Sequence, residues 1–137
     1  MDKALITQLI EKTQSRLGDS YAPYSGFHVA AALLAKDGKI YTGVNIENAS
    51  YGLCNCAERT AIFTAVNEGC KEFTAICIMG GPGGEVKDFC PPCGACRQVM
   101  GEFCKGDFVI ILATDTEHYK TYTLDDIFPL RFDDSKL

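Results

Sequence analysis

The sequence lacks an excess of positive charge. Thirteen lysines and arginines stand against eighteen aspartates and glutamates, a formal net charge of -5 over 137 residues. Nucleic-acid binding is dominated by neutralisation of phosphates, and the basic residues here are scattered with no patch, so no nucleic-acid partner is expected. Long apolar runs are missing too. The longest, VAAALLA at 29–35, falls far short of the ~20 residues of a membrane-spanning helix, so no membrane association is expected. The opening MDKALITQLI carries an acid and no extended apolar stretch, unlike an export signal. These absences give the expectation of a cytoplasmic protein. Histidine is scarce: His28 falls in a predicted strand and His118 in a polar turn, neither beside a serine or cysteine motif. A Ser–His or Cys–His nucleophile therefore has no support. No repeat, linker or low-complexity stretch divides the chain, and its size suits one domain over 1–137.

Cysteine, in contrast, is abundant, with eight. A disulfide framework suits small secreted chains. This chain shows no export signal and has 47% hydrophobic residues from which to build a core. Cys70, Cys77 and Cys104 are scattered and read as small buried apolar residues. The clusters at 54–56 and 90–96 read as chemistry.

Periodicity supplies the frame. Leu5, Ile6, Leu9, Ile10 and Leu17 have helical spacing over 3–17, stopped by Gly18. HVAAALLA and IYTGVNI flank the turn KDGK and predict a β-hairpin. AERTAIFTAVNEG predicts a helix ended by Gly69, FTAICIM a buried strand, and GGPGGEVKDFCPP a loop. GACRQVMGEFC predicts a second helix with Gly106 just beyond it, DFVIILA a buried strand, and YKTYTL a last strand. One mixed sheet with helices on both faces follows.

Two stretches carry the chemistry, CNCAERTA at 54–61 and PCGACRQV at 92–99. Pro92 suits a helix start, having no N–H to lose, and Cys93 and Cys96 then share a face of the first turn. Helix N-termini favour thiolates, and Cys56 holds the matching place on the other helix. Three thiolates around Zn²⁺ leave a fourth tetrahedral position open, the arrangement of a catalytic zinc. Glu58 sits beside such a metal without being needed to bind it, where a carboxylate can carry protons. Each part has a plainer reading alone. A Glu in a first helical turn is favoured by the helix dipole, and CxxC also serves redox pairs and structural zinc knuckles. Together, Cys-Ala-Glu and Pro-Cys-x-x-Cys match the signature of zinc deaminases.

The neighbouring residues extend this reading. Arg59 could donate to a ligand sulfur and offset the surplus negative charge of three thiolates, or lie solvated on the helix. Asn45 and Glu47, placed at the end of the hairpin's second strand, point the same way and suit a ribose hydroxyl, while the carboxylate repels a phosphate. A turn-capping role is the alternative. Cys54 precedes the helix, and Cys90 is separated from Cys93 by two prolines that keep the segment extended. A closed four-cysteine structural zinc site would need one of them.

With APYSGFHVAAAL upstream, NIENASYGLCNCAERTA and PCGACRQV make the chain resemble the small cytidine deaminases, strongly from about Ala22 to Val99. The resemblance implies a three-layer α-β-α sandwich around a mixed five-stranded sheet, one zinc per subunit on Cys56, Cys93 and Cys96, and Glu58 as the proton shuttle. It also implies nucleoside contacts from Asn45, Glu47, Ala57 and Phe27, the last lining the base pocket. A homotetramer is implied as well, in which the apolar tail FPLRF sends Phe132 to a neighbour's site. The expected reaction is hydrolytic deamination of cytidine and deoxycytidine to uridine and deoxyuridine with release of ammonia, in pyrimidine salvage. Alternatives are a deaminase of a cytosine-containing antibiotic and a non-catalytic four-cysteine zinc domain.

Overall fold

Alternation along the central strands decides the architecture. A computed structural model describes Met1–Leu137. Its principal elements are α1 (Lys3–Gln14), β1 (Phe27–Ala35), β2 (Ile40–Val44), α2 (Ala57–Asn67), β3 (Phe73–Pro82), α3 (Gly94–Phe103), β4 (Val109–Ala113), β5 (Tyr119–Thr123) and α4 (Leu124–Ile127). Successive side chains of a strand point to opposite faces. Here both faces are apolar, because both are covered. Ala31, Leu33, Ile76, Ile78, Ile110 and Leu112 form one core with α2 and α3. Their neighbours Ala32, Leu34, Ala75, Cys77, Ile111 and Ala113 form a second core with Ile6, Leu9 and Ile10 of α1. The result is the expected three-layer sandwich.

The sheet runs β2-β1-β3-β4-β5. β1 pairs antiparallel with β2 and β3, β3 pairs parallel with β4 through the α3 crossover, and β5 returns antiparallel to β4. β2 and β3 therefore point the same way. Phe27 at the start of β1 faces Pro82 at the end of β3, and Ala30 faces Val44 at the end of β2. The chain leaves β2 for α2 and leaves β3 for α3 at one edge of the molecule, so both helices begin there.

Local chemistry fixes the helices. The Asp2 side chain accepts from the Leu5 N–H at 2.9 Å, an N-cap of a kind that contributes about 1 kcal/mol. Gly43 of β2 lets α2 come close. A Cβ there would fall 2.5 Å from the Ala61 nitrogen and closer still to the Ala57 carbonyl oxygen.

Several boundaries differ from expectation. α1 stops at Gln14 and a short 3₁₀ turn fills Leu17–Asp19. β2 stops at Val44, so Asn45 and Glu47 lie beyond the strand, although Ile46 still bridges to Tyr21 and Asn55. β3 runs to Pro82 through two glycines assigned to a loop, because the long strand β1 offers partners as far as Phe27. α3 begins at Gly94 with Cys93 as its N-cap, so Pro92 precedes the helix and does not open it.

Candidate active site

Two helix starts meet at this edge. Cys56 and Cys93 are the N-cap residues of α2 and α3, both in extended conformation, and neither side chain caps its own helix. The sulfurs are thus left free in front of two sets of N–H groups carrying partial positive charge. Cys96, fully buried in the first turn of α3, completes the group. The Cys56 and Cys93 Sγ atoms are 3.8 Å apart, and Cys93 and Cys96 Sγ are 3.6 Å apart. All three lie within 4.8 Å of one another. Sulfurs about 2.3 Å from one tetrahedral zinc would be about 3.8 Å apart, so the cluster fits that ion. Neither Cys54 nor Cys90 belongs to this group. The Cys54 sulfur is engaged with the Asn48 N–H at 3.3 Å. A closed four-cysteine site is thus not assembled.

The charges are ordered around these sulfurs. Hydrogen bonds from the Cys96 thiol and from Arg59 pull the Cys56 thiol down to about 5, against the opposing effect of burial. The same hydrogen bond, with burial, holds Cys96 well above the ordinary thiol range. Arg59 Nη2 donates to Cys56 Sγ at 3.1 Å. Arg59 thus points at the sulfur and does not lie solvated on the helix. Glu58 is 4% exposed, and burial pushes its carboxyl up to about 7, with the Cys56 charge adding to the effect. A buried carboxyl able to hold a proton near neutrality, beside a sulfur cluster suited to a metal, can act as a general acid and base.

A cavity of about 440 Å³ adjoins this group, lined by Cys56, Glu58 and Cys93 together with Asn45 and Glu47. Ala57 lines it and is fully buried. Asn45 is already engaged: its Oδ1 accepts from the Val29 N–H at 2.9 Å and from the Ser20 hydroxyl, and its Nδ2 donates to the Phe27 carbonyl at 2.8 Å. One amide N–H remains for a ligand. Glu47 Oε1 accepts from the Tyr24 and Ser25 N–H groups at 3.0 and 3.1 Å, and Oε2 accepts from the Ser25 hydroxyl. The Ser25 hydroxyl, then its N–H, hold this carboxyl below its usual range.

Two expected residues stand apart. Phe27, 39% exposed, is not on the cavity wall, whereas Val29, two residues along on the same side of β1, is. Phe132 is 60% exposed in the C-terminal segment and lies off the cavity within one chain. Ser20, Tyr24 and Ser25, which fix Asn45 and Glu47, had not been singled out in the sequence. Tyr24 and Ser25 carry only the signal of the Pro-Tyr-Ser stretch, and Ser20 carries none.

Comparison with known proteins matches residues 4–112 to the family model described as the cytidine and deoxycytidylate deaminase zinc-binding region. The chain is 46% identical over 132 residues to a cytidine deaminase of Halalkalibacterium halodurans, covering 96% of this chain and 95% of that one. It is 33% identical over 109 residues to a blasticidin-S deaminase of Bacillus cereus, covering 77% and 76%. The crystal structure of cytidine deaminase from Burkholderia pseudomallei aligns with a TM-score of 0.83 at 45% identity, covering 91% of this chain and 97% of that chain.

Proposed function

The chain belongs to the cytidine and deoxycytidylate deaminases with a zinc-binding region, and from that premise we propose that it hydrolyses cytidine and deoxycytidine to uridine and deoxyuridine with release of ammonia. The observation that carries this reading is the juxtaposition of three sulfurs in zinc-binding geometry with a buried Glu58 on the wall of one cavity. Cys56, Cys93 and Cys96 hold one zinc per subunit. The zinc supplies Lewis acidity that makes water a nucleophile near neutral pH.

The chain's own residues do the rest. Glu58 takes a proton from the attacking water, passes it to N3 of the base, and then delivers a proton to the departing amino nitrogen. Exclusion of bulk water from the buried carboxylate strengthens each of these interactions. Arg59, donating to Cys56 Sγ, withdraws charge from the sulfur and keeps three thiolates from cancelling the metal's pull. Asn45 gives its remaining N–H to a ribose hydroxyl, and Glu47 accepts from one. A phosphate at that place would meet the Glu47 charge, with a repulsion of about 4 kcal/mol at ~4 Å for an effective dielectric near 20, so nucleosides are preferred to nucleotides.

Ala57, Phe27 and, from a neighbouring chain, Phe132 surround the base in this reading. It supposes one domain in a cytoplasmic homotetramer serving pyrimidine salvage. The exposure of Leu130 and Phe132 in the tail is in keeping with assembly, which would cover them. The second reading, deamination of a cytosine-containing antibiotic, has the blasticidin-S deaminase relative in its favour, at 33% identity against 46% for a cytidine deaminase.

Ammonia release from cytidine, deoxycytidine, cytosine, CMP, blasticidin S and adenosine, with zinc content measured on the same preparation, tests the proposal. Turnover of cytidine and deoxycytidine with about one zinc per chain is expected. Consumption of blasticidin S alone would favour the second reading, and a zinc-loaded chain inert toward every cytosine compound would refute both.

A further inference from the structure

Arg97 follows Cys96 directly and takes no part in the sulfur cluster or the cavity wall. Its guanidinium is nonetheless committed on two sides. Nε donates to the Pro92 carbonyl at 2.8 Å, and Nη1 donates to the Ile127 carbonyl at 2.6 Å. Pro92 is the residue before the N-cap Cys93, and Arg97 is the fourth residue of α3. Side chains at these two positions often meet through an apolar contact that fixes the angle at which the chain enters a helix. Here a charged fork performs that task by hydrogen bonding. Its planar, multiply donating geometry suits two acceptors at once.

The angle matters at this helix start because the N-cap sulfur is one of the three. Cys93 is exposed and its side chain makes no cap bond. Apart from its contacts with the Cys56 and Cys96 sulfurs, its direction within the chain rests on the backbone conformation of Pro92 and Cys93. The Ile127 end of the fork reaches the last residue of α4, from which the C-terminal segment departs. That segment is tied to α3 again one residue along, where Gln98 Nε2 donates to the Phe132 carbonyl at 2.8 Å.

We infer that Arg97 is a positioning residue: it aims the Cys93 half of the metal site and couples it to the C-terminal segment. The inference rests on the reading of Cys56, Cys93 and Cys96 as the metal ligands. Groups behind metal ligands change metal affinity by about 10–100-fold when removed, and a residue that aims a ligand acts in the same way.

The test uses the zinc-loaded full chain and follows zinc release to a chromogenic chelator, with melting temperature measured alongside. Arg97→Gln is expected to release zinc at least ~10-fold faster than the parent. Arg97→Lys keeps the charge but not the fork, and should fall between the two. The control is Arg131→Gln. Arg131 donates to Asp125 at 2.9 Å and to the Phe128 carbonyl at 3.1 Å, holding the same segment without touching Pro92. It should lower the melting temperature without speeding zinc release. Parental release from folded Arg97→Gln, or equal acceleration in Arg131→Gln, overturns the inference. Should Arg97→Gln fail to fold, Arg97→Lys decides alone, an intermediate rate supporting the role and a parental rate overturning it. A parent chain that takes up no zinc removes the metal reading and this inference together, and its zero zinc content tells that failure apart.

Discussion

Glu58→Gln removes one proton site and little else, since glutamine keeps the shape of the side chain. Its effect on stability can be worked from burial. Glu58 is 4% exposed, and its carboxyl titrates at about 7 in the metal-free folded chain against 4.5 as a free side chain. Between those values the folded chain holds a proton that the unfolded chain has released. The stability tied to this group is therefore fully present below pH 4.5 and is lost as pH rises through about 7. At about 1.4 kcal/mol per pH unit the interval corresponds to roughly 3 kcal/mol. Glutamine has no charge to bury. Part of that change falls below pH 5, so the unfolding free energy of the variant, relative to the parent, should rise by about 2.5 kcal/mol between pH 5 and pH 8.

Urea unfolding of the reduced, metal-free proteins at both pH values measures that difference, and titrations common to parent and variant largely cancel in it. Turnover should move the opposite way. A general acid–base group contributes about 10²–10⁴-fold, and one that serves several transfers can exceed that. The zinc-loaded variant should keep its metal and lose nearly all ammonia release from saturating cytidine. A stability difference that stays flat with pH would refute the burial argument. Near-parental turnover with full zinc would refute the role of Glu58 in proton transfer.

Glu47→Ala should raise KM for cytidine, leave zinc content intact and narrow the gap between cytidine and CMP; equal losses toward free cytosine would contradict a ribose contact. Cys54→Ser and Cys90→Ser should each retain one zinc and most activity, because neither sulfur belongs to the cluster; loss of the metal from either, measured by atomic absorption, would revive a four-cysteine site. Gly43→Ala forces a Cβ against the α2 backbone and should cost about 1–3 kcal/mol or more, read by denaturant unfolding; a neutral result would mean that α2 need not sit so close to β2. Light scattering should find a tetramer, with Phe132→Ala mainly raising KM; a fully active monomer would remove the neighbour's part in the site.

The metal half of the site was legible in the sequence because its geometry is local. Cys93 and Cys96 are three residues apart, and that spacing turns their sulfurs together whether Cys93 is the N-cap, as found, or inside the helix, as expected. Glu58 and Arg59 follow Cys56 in the first turn of α2, so their neighbourhood is set by the same rise and rotation. The sandwich was legible for a related reason: uninterrupted apolar strands such as FTAICIM and DFVIILA imply cover on both faces, and α1 on one side and α2 with α3 on the other provide it.

The part of the cavity lined by Asn45 and Glu47 is built differently. Asn45 and Glu47 were visible as a polar pair, but their supports come from Ser20, Tyr24, Ser25, Phe27 and Val29, separated from them by a turn and a strand. No periodicity links a serine at 20 to an asparagine at 45. What joins them is pairing: Tyr21 bridges to Ile46 and brings Ser20 to Asn45, while the register of β1 against β2, with Ala30 opposite Val44, brings Val29 there. The same register decides that β2 and β3 end at one edge, and hence that Cys56 arrives beside Cys93. Pairing between strands thus performs two tasks: it brings two locally encoded sulfur motifs within reach of one ion, and it folds the turn at 20–25 under Asn45 and Glu47. A change that shifts β1 by one residue would separate Asn45 from Val29 and turn every core side chain of the strand to the other face, even with each cysteine still in place.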